Sequence, residues 1–279
     1  MLKKERFQQL MTYFSEQYPT AETELTYTNP YELLVAVILS AQCTDKRINQ
    51  VTPALFNRFP TPEALSESDF EEVFSYIRSV SYPNNKAKHL LGMAKMLVND
   101  FGSEVPASIE ELQKMPGVGR KTANVIVSVI YNQPAMAVDT HVFRTSRRLG
   151  LVPKTATTPL AVEKGLMRHI PKDLVARAHH WLILHGRYVC LARSPKCAEC
   201  QLKQWCKQYE ADQKKAKISL PFKQVNHGFL HFQETPFSVC CLHSFDAFGL
   251  FGSEYLFVGK LLGRHDNQQI STYGGVLRV

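Results

Sequence analysis

No stretch of the 279-residue chain is apolar for long enough to form a membrane-spanning helix, which sets aside channels and helical membrane enzymes. The opening residues, MLKKERFQQLMTYF, lack the apolar run and small-residue cleavage site of a secretory leader, so a cytoplasmic protein with no membrane partner is expected. Strand-like alternation is missing before residue 220, which disfavours an all-β or α/β core. Cysteine is sparse outside one segment: of seven, Cys43, Cys240 and Cys241 stand apart and form no disulfide framework. An excess of acidic charge is also missing. Lys and Arg number 33 against 25 Asp and Glu, a formal charge of +8 that weakly favours a polyanionic partner.

What is present is mostly helical punctuation. Phe7, Leu10, Met11 and Phe14 recur at helical spacing, so an amphipathic helix starts almost at residue 1. After Pro30, YELLVAVILSAQ is apolar on nearly every side, as a helix in the middle of a bundle would be. Further helices are expected in EALSESDFEEVFSYIRSV, in NKAKHLLGMAKMLVNDF after Pro83, and in SIEELQKM. The turn PGVG then separates SIEELQKM from RKTANVIVSVIY, and THVFRTSRRLG follows.

In PGVG, Gly117 and Gly119 permit positive φ and keep side chains away from an approaching phosphate, so the amides of Gly117, Val118, Gly119 and Arg120 can point at it. Such a turn is also an ordinary connection between helices. Lys121 falls in the first turn of the next helix, where the macrodipole disfavours its ammonium form; that suits a nucleophilic amine, although an exposed phosphate-binding lysine is the plainer reading. Asp139 sits at the expected N-cap of the following helix. Beyond capping, an ionised carboxylate there can stabilise positive charge developing on a sugar.

Cys190, Cys197, Cys200 and Cys206 form a C-x₆-C-x₂-C-x₅-C pattern, and the helix LVARAHHWLILHGRYVC leads into the first of them. Spacing alone fits tetrahedral zinc or an iron-sulfur cluster equally well. Trp181 and Tyr188 read as packing around it. Between the first two cysteines, Arg193 and Lys196 lie on a short tied-down loop that could touch phosphate or simply face solvent.

Taken together, MPGVGRKTANVIV, AVDTHVFR and the cysteine spacing resemble the endonuclease III branch of the helix-hairpin-helix DNA glycosylases, over about residues 1–210. The resemblance implies an all-α, two-lobed fold: a cluster domain from residues 1–21 and 136–211, and a six-helix domain from 22–135. It also implies one 4Fe-4S cluster on the four cysteines, and a base-excision enzyme acting as a monomer on duplex DNA with damaged bases or abasic sites. Oxidised pyrimidine is the expected lesion class, and a bacterial, nucleoid-associated setting is expected. By the same resemblance Lys121 is the catalytic lysine and Asp139 the shared aspartate. Gln42 would enter the gap left by a flipped nucleotide, with Asp45 shaping the pocket and His141 supporting it. Where the family carries a glycine and a wedging leucine, this chain has Ser81 and Tyr82, followed by Pro83. Lys86 is expected on backbone phosphate.

Two rival readings remain. The adenine-mismatch branch shares the cysteines but uses an early glutamate, where this chain has Val37, and it lacks the hairpin lysine. A non-catalytic iron-sulfur DNA-binding protein would not need Lys121 and Asp139 together. Residues 212–279 have no counterpart in the resemblance; KKAKISLPF reads as a basic linker, and half of the 16 phenylalanines lie beyond residue 220, between a strand-like module and disorder.

Overall fold

The structure is a computed structural model that describes residues 1–218; the expectations for the aromatic tail and for Cys240 and Cys241 lie outside the described residues. Among the described residues there are α-helices and short 3₁₀ turns, and no strand.

The chain opens with α1 (Lys3–Gln17), α2 (Pro30–Ser40) and α3 (Asp45–Arg58). Asn29 caps α2 by accepting the Glu32 amide at 2.9 Å, and Pro30 takes the position where a missing N–H costs nothing. Leu33, Leu34, Val35, Ala36 and Leu39 are wholly buried, as the all-apolar sequence requires. Each large aliphatic side chain there contributes about 1.5–3 kcal/mol, so a charge at Leu34 would disrupt the bundle.

The single helix expected over residues 63–80 is instead two, α4 (Pro62–Ser66) and α5 (Phe70–Ile77). Asp69 makes the break by accepting the Glu72 amide at 2.8 Å. Next come α6 (Pro83–Phe101), α7 (Ile109–Leu112) and α8 (Arg120–Tyr131), of which α7 and α8 form the hairpin. A first core runs from Leu25 to Ala137 and is built on these helices.

Two more helices, α9 (Thr140–Leu149) and α10 (Pro159–Met167), precede a 3₁₀ turn at Lys172–Leu174 and α11 (Val175–Tyr188). With α1 they enclose a second core, where Phe14 stacks on Trp181 at 5.7 Å and the indole donates to the Tyr18 carbonyl at 2.7 Å. The last described helix is α12 (Lys207–Ile218), so the expected linker is helical over its first part. Lys214 pairs there with Glu210 one turn back, at 2.7 Å.

Gly186 on α11 lies against α9: a Cβ at this position would stand 2.8 Å from the His141 Cβ. That close crossing sets the height of the α9 N-terminus relative to α11. No described helix is long and apolar enough to cross a membrane.

Candidate active site and cluster cradle

Lys121 is the second residue of α8 and is exposed. Asp139 is the N-cap of α9, its Oδ1 accepting the Val142 amide at 2.7 Å. Both line one pocket, together with Val37, Asp45, His179 and Arg187. Asn124, one turn beyond Lys121, braces the pair by donating to the Met136 carbonyl at 3.1 Å, which ties α8 to the strand of chain that leads into Asp139. Val37 puts an apolar wall where the adenine-mismatch branch would need a carboxylate.

Charge in this pocket is unevenly hydrated. Burial pushes the Asp45 carboxyl up; Lys121 opposes that, Asp139 adds to it, and His141 opposes it again. His179 is pushed down to about 4, first by burial and then by Lys121, against a hydrogen bond with the Ala137 backbone. Its neighbour His180 is lowered to about 3, again mainly by burial. The two rings are therefore neutral at physiological pH, and the Nδ1 of His179 has no partner among protein atoms.

The hairpin turn matches expectation at Gly117 and differs from it at Gly119 and Val118. Gly117 has φ of +81°, and a Cβ there would lie 2.9 Å from His89 on α6, so glycine is required twice over. Gly119, by contrast, has φ of −90°, and a Cβ there would meet nothing, so its lack of a side chain leaves open space on the outer face of the turn. The Val118 amide is taken by the Met115 carbonyl at 3.1 Å, and its side chain is buried, so it offers nothing to phosphate. No side chain caps α8, which leaves the positive end of the helix open to an anion.

Arg120 is half exposed and engaged on the protein itself. It forms a two-pronged pair with Glu163 on α10, with Nε donating at 2.9 Å. Lys86 is a clearer correction: it is 5% exposed and donates to the carbonyls of Leu39 and Ala41 at 2.8 and 2.7 Å. It closes the C-terminus of α2 instead of reaching DNA, because α6 packs directly beneath those unpaired carbonyls. Gln42 and Tyr82 are exposed and both have φ of 55°. His141 is half-buried, its Nδ1 3.2 Å from Arg144.

Cys190, Cys197, Cys200 and Cys206 form no disulfide and are partly buried; burial first, against a hydrogen bond from the Leu202 backbone, and then each of the other three sulfurs raises the cost of ionising Cys200. Cys190 follows the end of α11 and the other three cysteines come in the loop and 3₁₀ turn after it, so the four thiols form one cradle. The cradle is fastened to α9: Arg148 donates to the carbonyls of Leu191 and Ala192 at 2.6 and 3.0 Å and reaches the Cys190 sulfur at 3.5 Å. Arg144 holds the Cys190 carbonyl at 3.0 Å. A soft, all-thiolate set with guanidinium nearby fits an anionic iron-sulfur cluster. Arg193 and Lys196 are exposed on the loop this framework supports.

Sequence reasoning missed Arg187, Glu24, Asn124 and His179. Arg187 donates to Asp45 at 2.7 Å and also to Glu24, which in turn accepts from the Tyr188 hydroxyl. Tyr188 is therefore a surface bridge and not part of the cluster's packing. The spacing of His179, Ile183 and Arg187, four residues apart on one helix face, was the available signal.

This arrangement of hairpin, lysine and capping aspartate defines the class: residues 35–172 match the helix-hairpin-helix superfamily of base-excision DNA repair proteins. Residues 190–206 match the iron-sulfur binding domain of endonuclease III. The chain is 46% identical over 218 residues to endonuclease III of Bacillus subtilis, covering 78% of this chain and 99% of that relative. It is 38% identical over 209 residues to that of Escherichia coli, covering 75% and 98%. It also superposes on a trapped endonuclease III–DNA covalent intermediate, an estranged-adenine complex, with TM-score 0.72 and 44% identity over 76% of this chain and 100% of that one. The chain belongs to the endonuclease III family. It is a base-excision repair DNA glycosylase and abasic-site lyase, and it carries one 4Fe-4S cluster.

Proposed function

We propose that Lys121 is the nucleophile, that Asp139 supports it, and that the substrates are duplexes bearing oxidised pyrimidines or abasic sites. The observation that carries this reading is that the exposed amine at the start of α8 and the carboxylate at the start of α9 line one pocket. As the bond from the sugar to the base lengthens, Asp139 stabilises the positive charge developing at the sugar. The neutral amine of Lys121 bonds to the anomeric carbon, the base leaves with the bonding electrons, and opening of the sugar ring gives an iminium. Loss of a proton from the adjacent carbon then expels the 3′ phosphate, and hydrolysis frees the lysine.

The remaining roles follow position. Gln42 and Tyr82 project where a flipped nucleotide leaves a gap, while the α8 N-terminus at Gly119, together with Arg193 and Lys196, faces backbone phosphate. Asp45 and His141 shape the pocket. The thiolates of Cys190, Cys197, Cys200 and Cys206 hold the cluster, which supplies a rigid, electrostatically fixed platform for that loop. We assign the second core, with α1, to a cluster domain and the first to a six-helix domain, in a protein of the bacterial cytoplasm associated with the nucleoid.

Borohydride reduction during incubation with abasic-site duplex tests the reading. A covalent adduct is expected from the native enzyme and from Asp139→Asn at a slower rate, with none from Lys121→Gln. Equal adduct from Lys121→Gln would reject the assignment.

A further inference from the structure

Among the described residues, Arg187 on α11 is the one guanidinium lining the Lys121–Asp139 pocket. Its Nη1 donates to Asp45 Oδ2 at 2.7 Å, at the start of α3, and also pairs with Glu24 in the segment before α2. All three side chains are largely shielded, with exposures of 26% for Arg187, 13% for Glu24 and 16% for Asp45. The Tyr188 hydroxyl donates to the second oxygen of Glu24, so that carboxylate is held from two directions. Partners 142 and 163 residues away in sequence are thus joined through one side chain.

We infer that Arg187 is a positioning residue: by bridging Glu24 and Asp45 it fixes the Asp45 carboxylate, as an anion, in the wall of the pocket that faces Lys121. The inference rests on the lysine-lyase reading above. A carboxylate desolvated to this degree would favour its neutral acid unless a cation faced it. The groups that face Asp45 are Lys121 from α8, Asp139 and His141 from α9, Arg187 from α11 and, across the same Nη1, Glu24 from the segment before α2. Lys121 must give up its charge to act as a nucleophile, and Asp139 repels the Asp45 anion. Arg187 is the cation that remains while the amine reacts, and its Nη1 serves Glu24 and Asp45 together.

The test is the pH profile of kcat/KM for strand cleavage of abasic duplex by cluster-loaded enzyme, with borohydride trapping measured in parallel. In Arg187→Met the acid limb should move to higher pH by about one unit or more, since an adjacent cation is worth about 1–3 units to a carboxylate. Arg187→Lys should return the limb part of the way. Asp45→Asn should move the limb, and adding Arg187→Met to it should change the profile no further. Cluster absorbance reports whether each variant folds. If Arg187→Met does not fold, Glu24→Gln, which loosens Arg187 from its other side, should shift the limb in the same direction by less. An acid limb unmoved in Arg187→Met or, failing that, in Glu24→Gln overturns the inference, as does one that Arg187→Met still shifts in the Asp45→Asn background. Absence of any trapped adduct with native enzyme would instead reject the lyase reading itself.

Discussion

The Ser81 hydroxyl donates a 2.7 Å hydrogen bond to the Gln42 carbonyl, joining two loops 39 residues apart. Gln42 on one side and Tyr82 on the other are both left-handed and exposed, so this bond sets the spacing of the two groups assigned to the DNA gap. Where the resembled family has glycine, serine supplies a tether. Ser81→Ala should therefore weaken lesion-duplex processing by about 2- to 10-fold, the worth of one partly exposed hydrogen bond, and leave borohydride trapping on single-stranded abasic DNA unchanged. Equal loss on both substrates would contradict the tether.

Tyr82 caps α6 from a left-handed conformation, which for a non-glycine residue costs on the order of 1 kcal/mol. Tyr82→Gly should relieve that strain and raise or preserve the melting temperature while lowering turnover on lesion duplex. The two readouts move in opposite directions only if the ring acts on DNA. A variant that is both less stable and less active would mean the ring serves the fold.

Lys86 offers a sharp contrast between two roles. As the closure of α2, its replacement by Met strands the carbonyls of Leu39 and Ala41 and should destabilise the protein by about 1–3 kcal/mol. Burial lowers the Lys86 pKa, in keeping with an ammonium removed from solvent. DNA affinity measured against salt should keep its slope, whereas loss of a phosphate contact would reduce it by about 0.9.

His179 and His180 have values of about 4 and about 3 in the folded protein, below the 6.5 of an ordinary histidine. The unfolded chain therefore binds protons that the folded one refuses, and stability falls as pH drops from about 6.5 toward 4. Lys121 faces His179, and His179 faces His180, so each added proton meets an existing charge or ring. For His179 the loss is of the order of 3 kcal/mol. Melting temperatures from pH 7.5 to 4.5 should fall more steeply for the native protein than for His179→Gln; parallel curves would show that His179 is not involved.

Much of the scaffold was legible because its causes are local. The apolar run of α2, the Asp139 cap of α9 and the cysteine pattern each depend on neighbours within a turn or two. The break between α4 and α5 was hidden because EALSESDFEEV reads as one amphipathic run, and only the Asp69 cap divides it. What escaped the sequence was set by partners far along the chain. Lys86 looks like any surface lysine until α2 ends above it, and Arg187 reads as the polar tip of a helix until Glu24 and Asp45 meet it. Arg120 likewise belongs to Glu163, 43 residues away.

The central claim is that the amine on the second residue of α8 forms the bond to the sugar. Peptide mapping by mass spectrometry of the borohydride-reduced enzyme–DNA adduct measures this directly. A modified sugar is expected on the peptide containing Lys121; modification at another lysine or at the N-terminal amine, with Lys121 untouched, would overturn the assignment.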